Sequence, residues 1–250
     1  MTNNNIYFIA NWKMFGNMSS VNSANKLIKL IKSKKYKKIK IIYCPPYTLL
    51  ESFIKKTTNS KIFIGAQNCH YKPVYGSYTG SISSKMIKDL GSKYVIIGHS
   101  ENRQGGDTNN IINLKIKSAL ENKLKVIFCI GENLKEKKRN QTKKVLINQI
   151  KKGLNKIKNV NEILVAYEPV WSIGSGIIPK TQDLQKIITY LKNFLNIKYK
   201  RQKVKIIYGG SVNSKNIDTL NKITNLNGYL IGGASQKVNN FIDIIKKTIN

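Results

Sequence analysis

Residues 163–176 read ILVAYEPVWSIGSG, and this stretch joins a buried strand to a glycine-rich loop. The apolar run Ile163–Tyr167 is typical of a strand in a parallel sheet, and the proline after Glu168 biases that residue towards extended backbone. The carboxylate of Glu168 is therefore expected at the carboxyl end of the strand, where barrel enzymes carry their chemistry. Beyond it, Gly174 and Gly176 have no side chains, so backbone N–H groups there can approach an anion. The stretch predicts a general base beside a mobile lid.

Similar apolar runs, rich in β-branched residues, recur along the whole chain at intervals of roughly thirty residues. Eight of them are predicted to be strands: Ile6–Ala10, Ile39–Tyr43, Ile62–Ile64, Tyr94–Ile97, Val126–Cys129, Ile163–Tyr167, Val204–Tyr208 and Tyr229–Ile231. Helical patterns lie between them, such as the apolar face formed by Leu184, Ile187, Ile188, Leu191 and Leu195. Eight strand-helix units in 250 residues favour an α/β fold with a closed (β/α)₈ barrel of parallel strands. An open doubly wound sheet remains the alternative.

The domain organisation predicted from the sequence is simple. No proline- or serine-rich linker and no low-complexity tail interrupts the series, so residues 1–250 are expected to form a single domain. The longest stretch without a helical pattern runs from Gln67 to Ser83. A loop of this length in a compact domain usually has a function.

The composition is strongly basic, with 44 Lys and Arg against 12 Asp and Glu and a net charge of +32. Such an excess on its own suggests an anionic partner such as nucleic acid. The lysines, however, are scattered over nearly the whole length and mixed with many Asn and Ile. These three amino acids share A/T-rich codons, so base composition is a sufficient cause. We therefore do not expect nucleic-acid binding, and we expect a phosphorylated substrate to be attracted inward.

The cysteines and the hydrophobic segments indicate a cytoplasmic protein. Cys44, Cys69 and Cys129 are odd in number, lack metal-ligand spacing and adjoin apolar runs, as structural thiols in a reducing compartment do. Residues 1–5 are polar and do not resemble the start of a secretory signal. No apolar run approaches the length that spans a membrane.

Two strand ends carry polar side chains suited to carbonyl chemistry. Alternation along the first strand places Asn11 and Lys13 on one face and Trp12 on the other, so that a compact positive charge accompanies an amide. The fourth strand leads into His99. Ser100 could begin a helix there, and the positive end of that helix would disfavour a charge on the imidazole.

The last two strand ends carry glycine pairs that suit a phosphate. The segments are Tyr208-Gly209-Gly210-Ser211 and Gly232-Gly233-Ala234-Ser235. Barrels commonly bind phosphate with the loops after these two strands and a short helix N-terminus, because backbone N–H groups can approach closely there.

Seven segments in order resemble the motifs of the triosephosphate isomerase family. They are Asn11-Trp12-Lys13, Gly65-Ala66-Gln67-Asn68, Gly98-His99-Ser100-Glu101, Cys129-Ile130-Gly131-Glu132, the glycine-rich lid that follows Glu168, and the two glycine-pair segments. The resemblance implies interconversion of dihydroxyacetone phosphate and D-glyceraldehyde 3-phosphate through an enediol(ate), in glycolysis and gluconeogenesis, with no metal and no organic cofactor. It implies that Glu168 moves the proton, that His99 polarises the carbonyl, and that Lys13 stabilises the oxyanion with help from Asn11.

The same resemblance implies further roles. Gly174, Ser211, Gly232 and Gly233 would hold the phosphate, and Glu101 would support the site. The lid would keep water from an intermediate that otherwise eliminates phosphate to give methylglyoxal. A homodimer is implied as well, formed through the loop around Thr79.

The chain departs from the family pattern in two places. Asn102 stands where the family usually has an arginine, and the unusual segment Gln104-Gly105-Gly106-Asp107 follows. In the lid, Ser172 and Ser175 replace the usual Ala and Thr, and Ile177-Ile178-Pro179 replaces a more polar hinge. The ion pairs of the fourth loop and the motion of the lid are therefore where differences are expected.

Two other functions are compatible with the pattern. One is a different phosphate-binding barrel, such as another sugar-phosphate isomerase or an aldolase that uses a Schiff-base lysine. The other is a basic barrel that binds nucleic acid without catalysis, for which binding would weaken steeply with salt.

Overall fold

The computed structural model describes residues 5–200 and 202–249. The polar residues 1–4 lie outside the described residues. Eight parallel strands in the described ranges form a closed barrel in chain order. They are β1 (Ile6–Asn11), β2 (Ile39–Cys44), β3 (Ile62–Ala66), β4 (Tyr94–Ile97), β5 (Lys125–Ile130), β6 (Ile163–Tyr167), β7 (Lys205–Gly209) and β8 (Gly228–Ile231). The (β/α)₈ prediction is confirmed, and the strand ends differ from the predicted ones by no more than two residues.

Helices follow the strands and surround the barrel. They are α1 (Ala24–Ile31), α2 (Tyr47–Thr57), α3 (Ser84–Asp89), α4 (Ser100–Gln104), α5 (Asn109–Glu121), α6 (Leu134–Lys138), α7 (Thr142–Gly153), α8 (Thr181–Lys198), α9 (Ile217–Leu220) and α10 (Val238–Ile249). The predicted apolar face of α8 is confirmed, because Leu184, Ile188, Leu191 and Leu195 are buried. The stretch from Gln67 to Ser83 contains neither helix nor strand, as expected.

Closure of the barrel follows from the pairing of its first and last strands. Along one edge of β1, Tyr7 pairs with Gly228 of β8. Along the other edge, Ile6 pairs with Ile39 of β2. A side chain on Gly228 would collide with the backbone of Tyr7, at 2.0 Å from its carbonyl oxygen. Glycine is therefore required where β8 meets β1.

Side chains alternate between two separate apolar clusters. In β1, Tyr7 and Ile9 belong to a cluster that contains only strand residues and fills the barrel, whereas Phe8 and Ala10 pack against the helices. Burial of both faces explains why the strands are continuous apolar runs. It also sets which strand-end residues point into the mouth of the barrel. In β6, Leu164 and Ala166 point inward, and Glu168 continues that series.

The cysteines are buried, as their position beside apolar runs predicts. Cys44, Cys69 and Cys129 are free and buried. No helix in the described ranges is long and apolar enough to cross a membrane.

Candidate active site

A cavity of about 420 Å³ opens at the carboxyl ends of the strands. It brings together all the residues that the sequence predicts for catalysis and phosphate binding: Asn11, Lys13, His99, Glu168, Gly174, Ser211, Gly232 and Gly233. Glu101 is absent from the lining of the cavity but contacts Lys13. Parallel strands have their carboxyl ends on one side of the barrel, which explains how residues so distant in the chain meet there.

Glu168 is a buried carboxylate that points across the mouth of the barrel. Its backbone N–H donates to the carbonyl of Ile130 at 2.8 Å, so the backbone is fixed to the end of β5. The side chain is only 8% exposed, and its Oε2 lies 3.7 Å from Nε2 of His99. Neither of these two buried atoms has a hydrogen-bond partner among the described residues. Buried polar atoms normally have partners, so this pair of atoms is available to a ligand.

His99 reaches the cavity because the chain turns just before it. Ile97 points towards the helices, and strict alternation would send His99 the same way. Gly98 breaks the alternation with a φ of +79°, and a side chain on Gly98 would crowd the carbonyl of Cys129 at 3.1 Å. The predicted helix does begin at Ser100.

The tautomer of the neutral His99 ring follows from its hydrogen-bond partner at the start of α4. Its Nδ1 accepts a hydrogen bond from the backbone N–H of Glu101 at 3.3 Å. A ring nitrogen that accepts carries no proton, so in the neutral imidazole the proton lies on Nε2. The site therefore presents an N–H donor beside the carboxylate of Glu168.

Arg103 holds the turn on which His99 depends. Its Nε donates to the carbonyl of Gly98 at 2.7 Å and its Nη2 donates to the carbonyl of Cys129 at 3.1 Å. A third hydrogen bond, from Nη1, goes to the uncharged Asn109 at 2.8 Å. In this loop the guanidinium is thus bonded to neutral oxygens.

Lys13 is fixed by three contacts at the end of β1. Its ammonium group lies 2.6 Å from Oε1 of Glu101, and its backbone N–H donates to Asn11 Oδ1 at 3.2 Å. Its carbonyl accepts from Gln67 at 2.8 Å. The backbone of Lys13 has a φ of +56°, which a non-glycine residue adopts only where surrounding contacts hold it. These contacts present a positive charge to the cavity.

The glycine-pair loops form the opposite side of the cavity. Gly232 precedes a short 3₁₀ helix that begins at Gly233, so the predicted helix N-terminus is present. A side chain added at Gly233 would meet no atom within 4 Å, which leaves its backbone open to a ligand. Ser211 has a φ of +48° and turns the loop after β7 towards the lid. The N–H groups of such turns suit a phosphate.

The lid, which we define as residues 169–179, lies against the barrel. Its Trp171 donates from Nε1 to Oε1 of Glu132 at 2.9 Å, and the ammonium group of Lys137 lies 3.3 Å from the centre of the indole ring. Gly176 donates from its backbone N–H to the hydroxyl oxygen of Ser211 at 3.1 Å. Because Gly174 and Gly176 also line the cavity, the lid covers it.

Burial affects two ionisable groups around Glu168. Desolvation raises the pKa of the Glu132 carboxyl, although the hydrogen bond from Trp171 opposes the effect. Burial, and then the nearby carboxylate of Glu168, raise the pKa of the Cys129 thiol well above its usual value. Cys129 is therefore an uncharged packing group beneath the site. Among the described residues, no group of three or more His, Cys, Asp and Glu side chains could hold a metal ion.

Several residues at the site were not predicted from the sequence. Leu230 lines the cavity, and Gly209, which the sequence marks only as part of a glycine pair for phosphate, adjoins the side chain of Glu168. Alternation would have found both, because they follow inward-pointing positions of β7 and β8. Asn213 and Gln236 also line the cavity, but no motif in the sequence marks them.

A larger cavity of about 760 Å³ lies on the outer side of the lid, between Trp171 and α8. Neither His99 nor Glu168 lines it, so the residues that the sequence predicts for catalysis lie in the smaller cavity.

Comparisons with known proteins point to one family. The family model described as triosephosphate isomerase matches residues 6–248. A triosephosphate isomerase of Wolbachia sp. subsp. Brugia malayi is 41% identical over 240 residues, which cover 96% of each chain. A triosephosphate isomerase of Dictyoglomus turgidum is 42% identical over 243 residues, which cover 95% of this chain and 97% of that one. The crystal structure of triosephosphate isomerase from Bartonella henselae superposes with a TM-score of 0.89 at 31% identity, over 98% of this chain and 99% of that one.

Proposed function

The chain belongs to the triosephosphate isomerase family, and we propose that Glu168, His99 and Lys13 perform the reaction of that family in the cavity at the barrel mouth. Membership makes the chain an isomerase that interconverts dihydroxyacetone phosphate and D-glyceraldehyde 3-phosphate through an enediol(ate), as a step of glycolysis. The assignment of roles to individual residues is our proposal.

Glu168 is the base. It removes a proton from the carbon beside the carbonyl, and the electron pair of the broken C–H bond moves to form the carbon–carbon double bond of the enediolate. The carboxylic acid of Glu168 then returns the proton to the neighbouring carbon. A buried carboxylate whose Oε2 has no hydrogen-bond partner among the described residues is suited to this role, because no bond has to be broken before it acts.

His99 and Lys13 stabilise the oxygen atoms. The Nε2–H of His99 donates to the carbonyl oxygen as negative charge develops on it, and then exchanges protons between the two oxygens. Lys13 supplies a positive charge, with Asn11 beside it. The phosphate binds to the backbone N–H groups of Gly174, Ser211, Gly232 and Gly233 on the other side of the cavity, so substrate is held at both ends.

One observation supports this assignment above the others. His99 Nε2 and Glu168 Oε2 are 3.7 Å apart, buried and without partners among the described residues. A donor and an acceptor in this arrangement suit the carbonyl oxygen and the adjacent C–H group of one small substrate.

A coupled assay with D-glyceraldehyde 3-phosphate tests the proposal. We expect turnover, and we expect product formed in D₂O to carry deuterium on the carbon that receives the proton, since a carboxylic acid exchanges with solvent. Borohydride should trap no covalent lysine adduct, whereas an aldolase of the Schiff-base type would be trapped. Absence of turnover, or product without deuterium, would contradict the assignment.

We also propose that the chain acts as a homodimer through the loop around Thr79. Support comes from apolar side chains exposed on that loop and near β1: Val74, Tyr75, Tyr78, Met14, Phe15 and Met18. Sedimentation equilibrium should give twice the chain mass, and Thr79→Asp should shift the equilibrium towards the monomer. A wild-type monomer at micromolar concentration would contradict the proposal.

We further propose that residues 1–250 form a single domain, that the protein is cytoplasmic, and that its partner is the small phosphorylated triose and not nucleic acid. The single barrel formed by all eight strands of the described ranges supports the first point. Three free, buried cysteines support a reducing compartment. Fluorescence anisotropy with labelled DNA at 0.15 M salt checks the last point, and tight binding there would contradict it.

A further inference from the structure

Ser172 is a buried polar residue in the lid, whose tip at residues 174–177 is exposed. Its side chain is fully buried at the end of the turn Val170–Ser172. A buried hydroxyl is unfavourable unless it forms hydrogen bonds. The contacts of Ser172 therefore indicate what the lid gains from it.

The hydroxyl of Ser172 connects three parts of the molecule. It donates to the carbonyl of Ile177 at 2.5 Å. This hydrogen bond joins the two sides of the glycine turn, the part of the lid that contains Gly174 and Gly176. Its oxygen also lies 3.4 Å from the hydroxyl of Tyr208, the buried tyrosine of β7. Because the single proton of Ser172 is used for Ile177, the Tyr208 hydroxyl is the donor in this second contact.

The backbone of Ser172 adds a further connection to the barrel. Its carbonyl accepts from the hydroxyl of Ser211 at 2.5 Å, and that hydroxyl oxygen accepts the N–H of Gly176 at 3.1 Å. Ser172 thus lies where the lid, β7 and the phosphate-binding loop meet.

Gly210 leaves room for the contact between the hydroxyl groups of Ser172 and Tyr208. A side chain on Gly210 would lie 2.7 Å from the Tyr208 hydroxyl and 3.0 Å from the Ser172 hydroxyl. The absence of a side chain at Gly210 leaves the space in which the two hydroxyl groups meet.

We propose that Ser172 is a positioning residue that holds the lid over the reacting atoms, through the carbonyl of Ile177 and the hydroxyl of Tyr208. It touches no substrate. The inference rests on the proposed roles of Glu168 and the lid, because holding the lid matters only if the covered cavity is where the enediolate forms. Water that reaches the enediolate promotes loss of its phosphate, so the product ratio reports how well the lid is held.

The test compares Ser172→Ala with Ser92→Ala. Ser92 is also a fully buried serine, and its hydroxyl bonds to the carbonyls of Ile64 and Tyr94, far from the cavity. Each variant loses the hydrogen bonds of one buried serine. The comparison separates loss of stability from loss of lid closure.

For Ser172→Ala we expect kcat to fall and the share of methylglyoxal to rise, with a weaker affinity for 2-phosphoglycolate, a small phosphorylated carboxylate that resembles the enediolate. Loss of one net hydrogen bond corresponds to about a 2- to 13-fold change in the closure equilibrium. Affinity is read from the fluorescence of Trp171 in the lid. For Ser92→Ala we expect a lower Tm with an unchanged product ratio and unchanged affinity.

Tyr208→Phe is a second variant that removes the partner hydroxyl without altering the lid, and it keeps the test decisive if Ser172→Ala does not fold. It should raise the methylglyoxal share in the same direction. An unchanged product ratio and unchanged 2-phosphoglycolate affinity in either folded variant would overturn the proposal. An inactive wild-type protein would instead overturn the proposed roles on which it rests, and the wild-type assay reveals this before any variant is made.

Discussion

Gly209 leaves the space that the carboxylate of Glu168 occupies. A side chain on Gly209 would come within 2.6 Å of Glu168 Cγ and 2.7 Å of Oε1. The two residues follow inward-pointing positions of the neighbouring strands β6 and β7, so their side chains share the mouth of the barrel. The orientation of the proposed base therefore depends on a residue that has no side chain.

Gly209→Ala is expected to displace Glu168 without unfolding the barrel. Misplacing a catalytic group by about 1 Å can cost on the order of 10²-fold in rate, so kcat should fall by about that factor. Gly105→Ala is the matched control, because an added side chain there would meet ordinary contacts at 3.5 Å. Steady-state kinetics and circular dichroism check both variants, and a Gly209→Ala enzyme with wild-type kcat would contradict the prediction.

Glu168→Gln removes the base but keeps the shape of the side chain. A positioned base contributes about 10²–10⁴-fold, so kcat should fall at least that far while Tm stays close to the wild-type value. Glu162→Gln is the control. Glu162 lies just before β6 and pairs with Lys125 at 2.9 Å on the surface, where neutralising it should leave kcat unchanged. Equal kcat values for wild type and Glu168→Gln would exclude Glu168 as the base.

Alternation along the strands predicted much of this site. It places Asn11 and Glu168 at the mouth of the barrel, and the observed lining of the cavity agrees. His99 could not be placed in this way, since the φ of +79° at Gly98 reverses the expected direction. The motif around His99 marked the residue, but only the folded chain shows the turn.

The lid and its partners were the least predictable part. The sequence marks Ser172 only as a departure from the family pattern, and nothing in it indicates that this side chain is fully buried. Its contacts with Ile177 and Tyr208 depend on how the glycine turn folds back onto β7, which no local pattern determines. Likewise, the contact between Gly209 and Glu168 arises from the register of two strands joined through α8.

Glu132 should make stability depend on pH. Burial raises the pKa of its carboxyl above the ordinary value of 4.5, which the unfolded chain retains. Between these two pKa values the folded chain binds more protons than the unfolded chain, so the free energy of unfolding falls as pH rises through this window. Glu132→Gln keeps an acceptor for Trp171 but has no charge to desolvate, and its stability should lack that fall.

Urea denaturation from pH 4 to pH 8 checks this effect of Glu132. The difference in unfolding free energy between Glu132→Gln and wild type should grow in favour of the variant as pH rises from about 4.5. Glu162→Gln serves again as the control, because Glu162 is 49% exposed. Parallel pH profiles for wild type and Glu132→Gln would mean that the buried carboxyl does not titrate differently in the folded state.

The net charge of +32 should accelerate capture of a phosphorylated substrate. A dianionic phosphate is attracted by the positive field of the chain, and salt screens that field over about 10 Å at 0.1 M and about 3 Å at 1 M. Raising NaCl from about 0.02 M to about 0.5 M should therefore lower kcat/KM for D-glyceraldehyde 3-phosphate by on the order of tenfold. Unphosphorylated glyceraldehyde carries no charge and serves as the control, for which kcat/KM should be nearly independent of salt. If both substrates respond equally, salt acts on the protein and not on the encounter, and the excess of lysine plays no part in substrate capture.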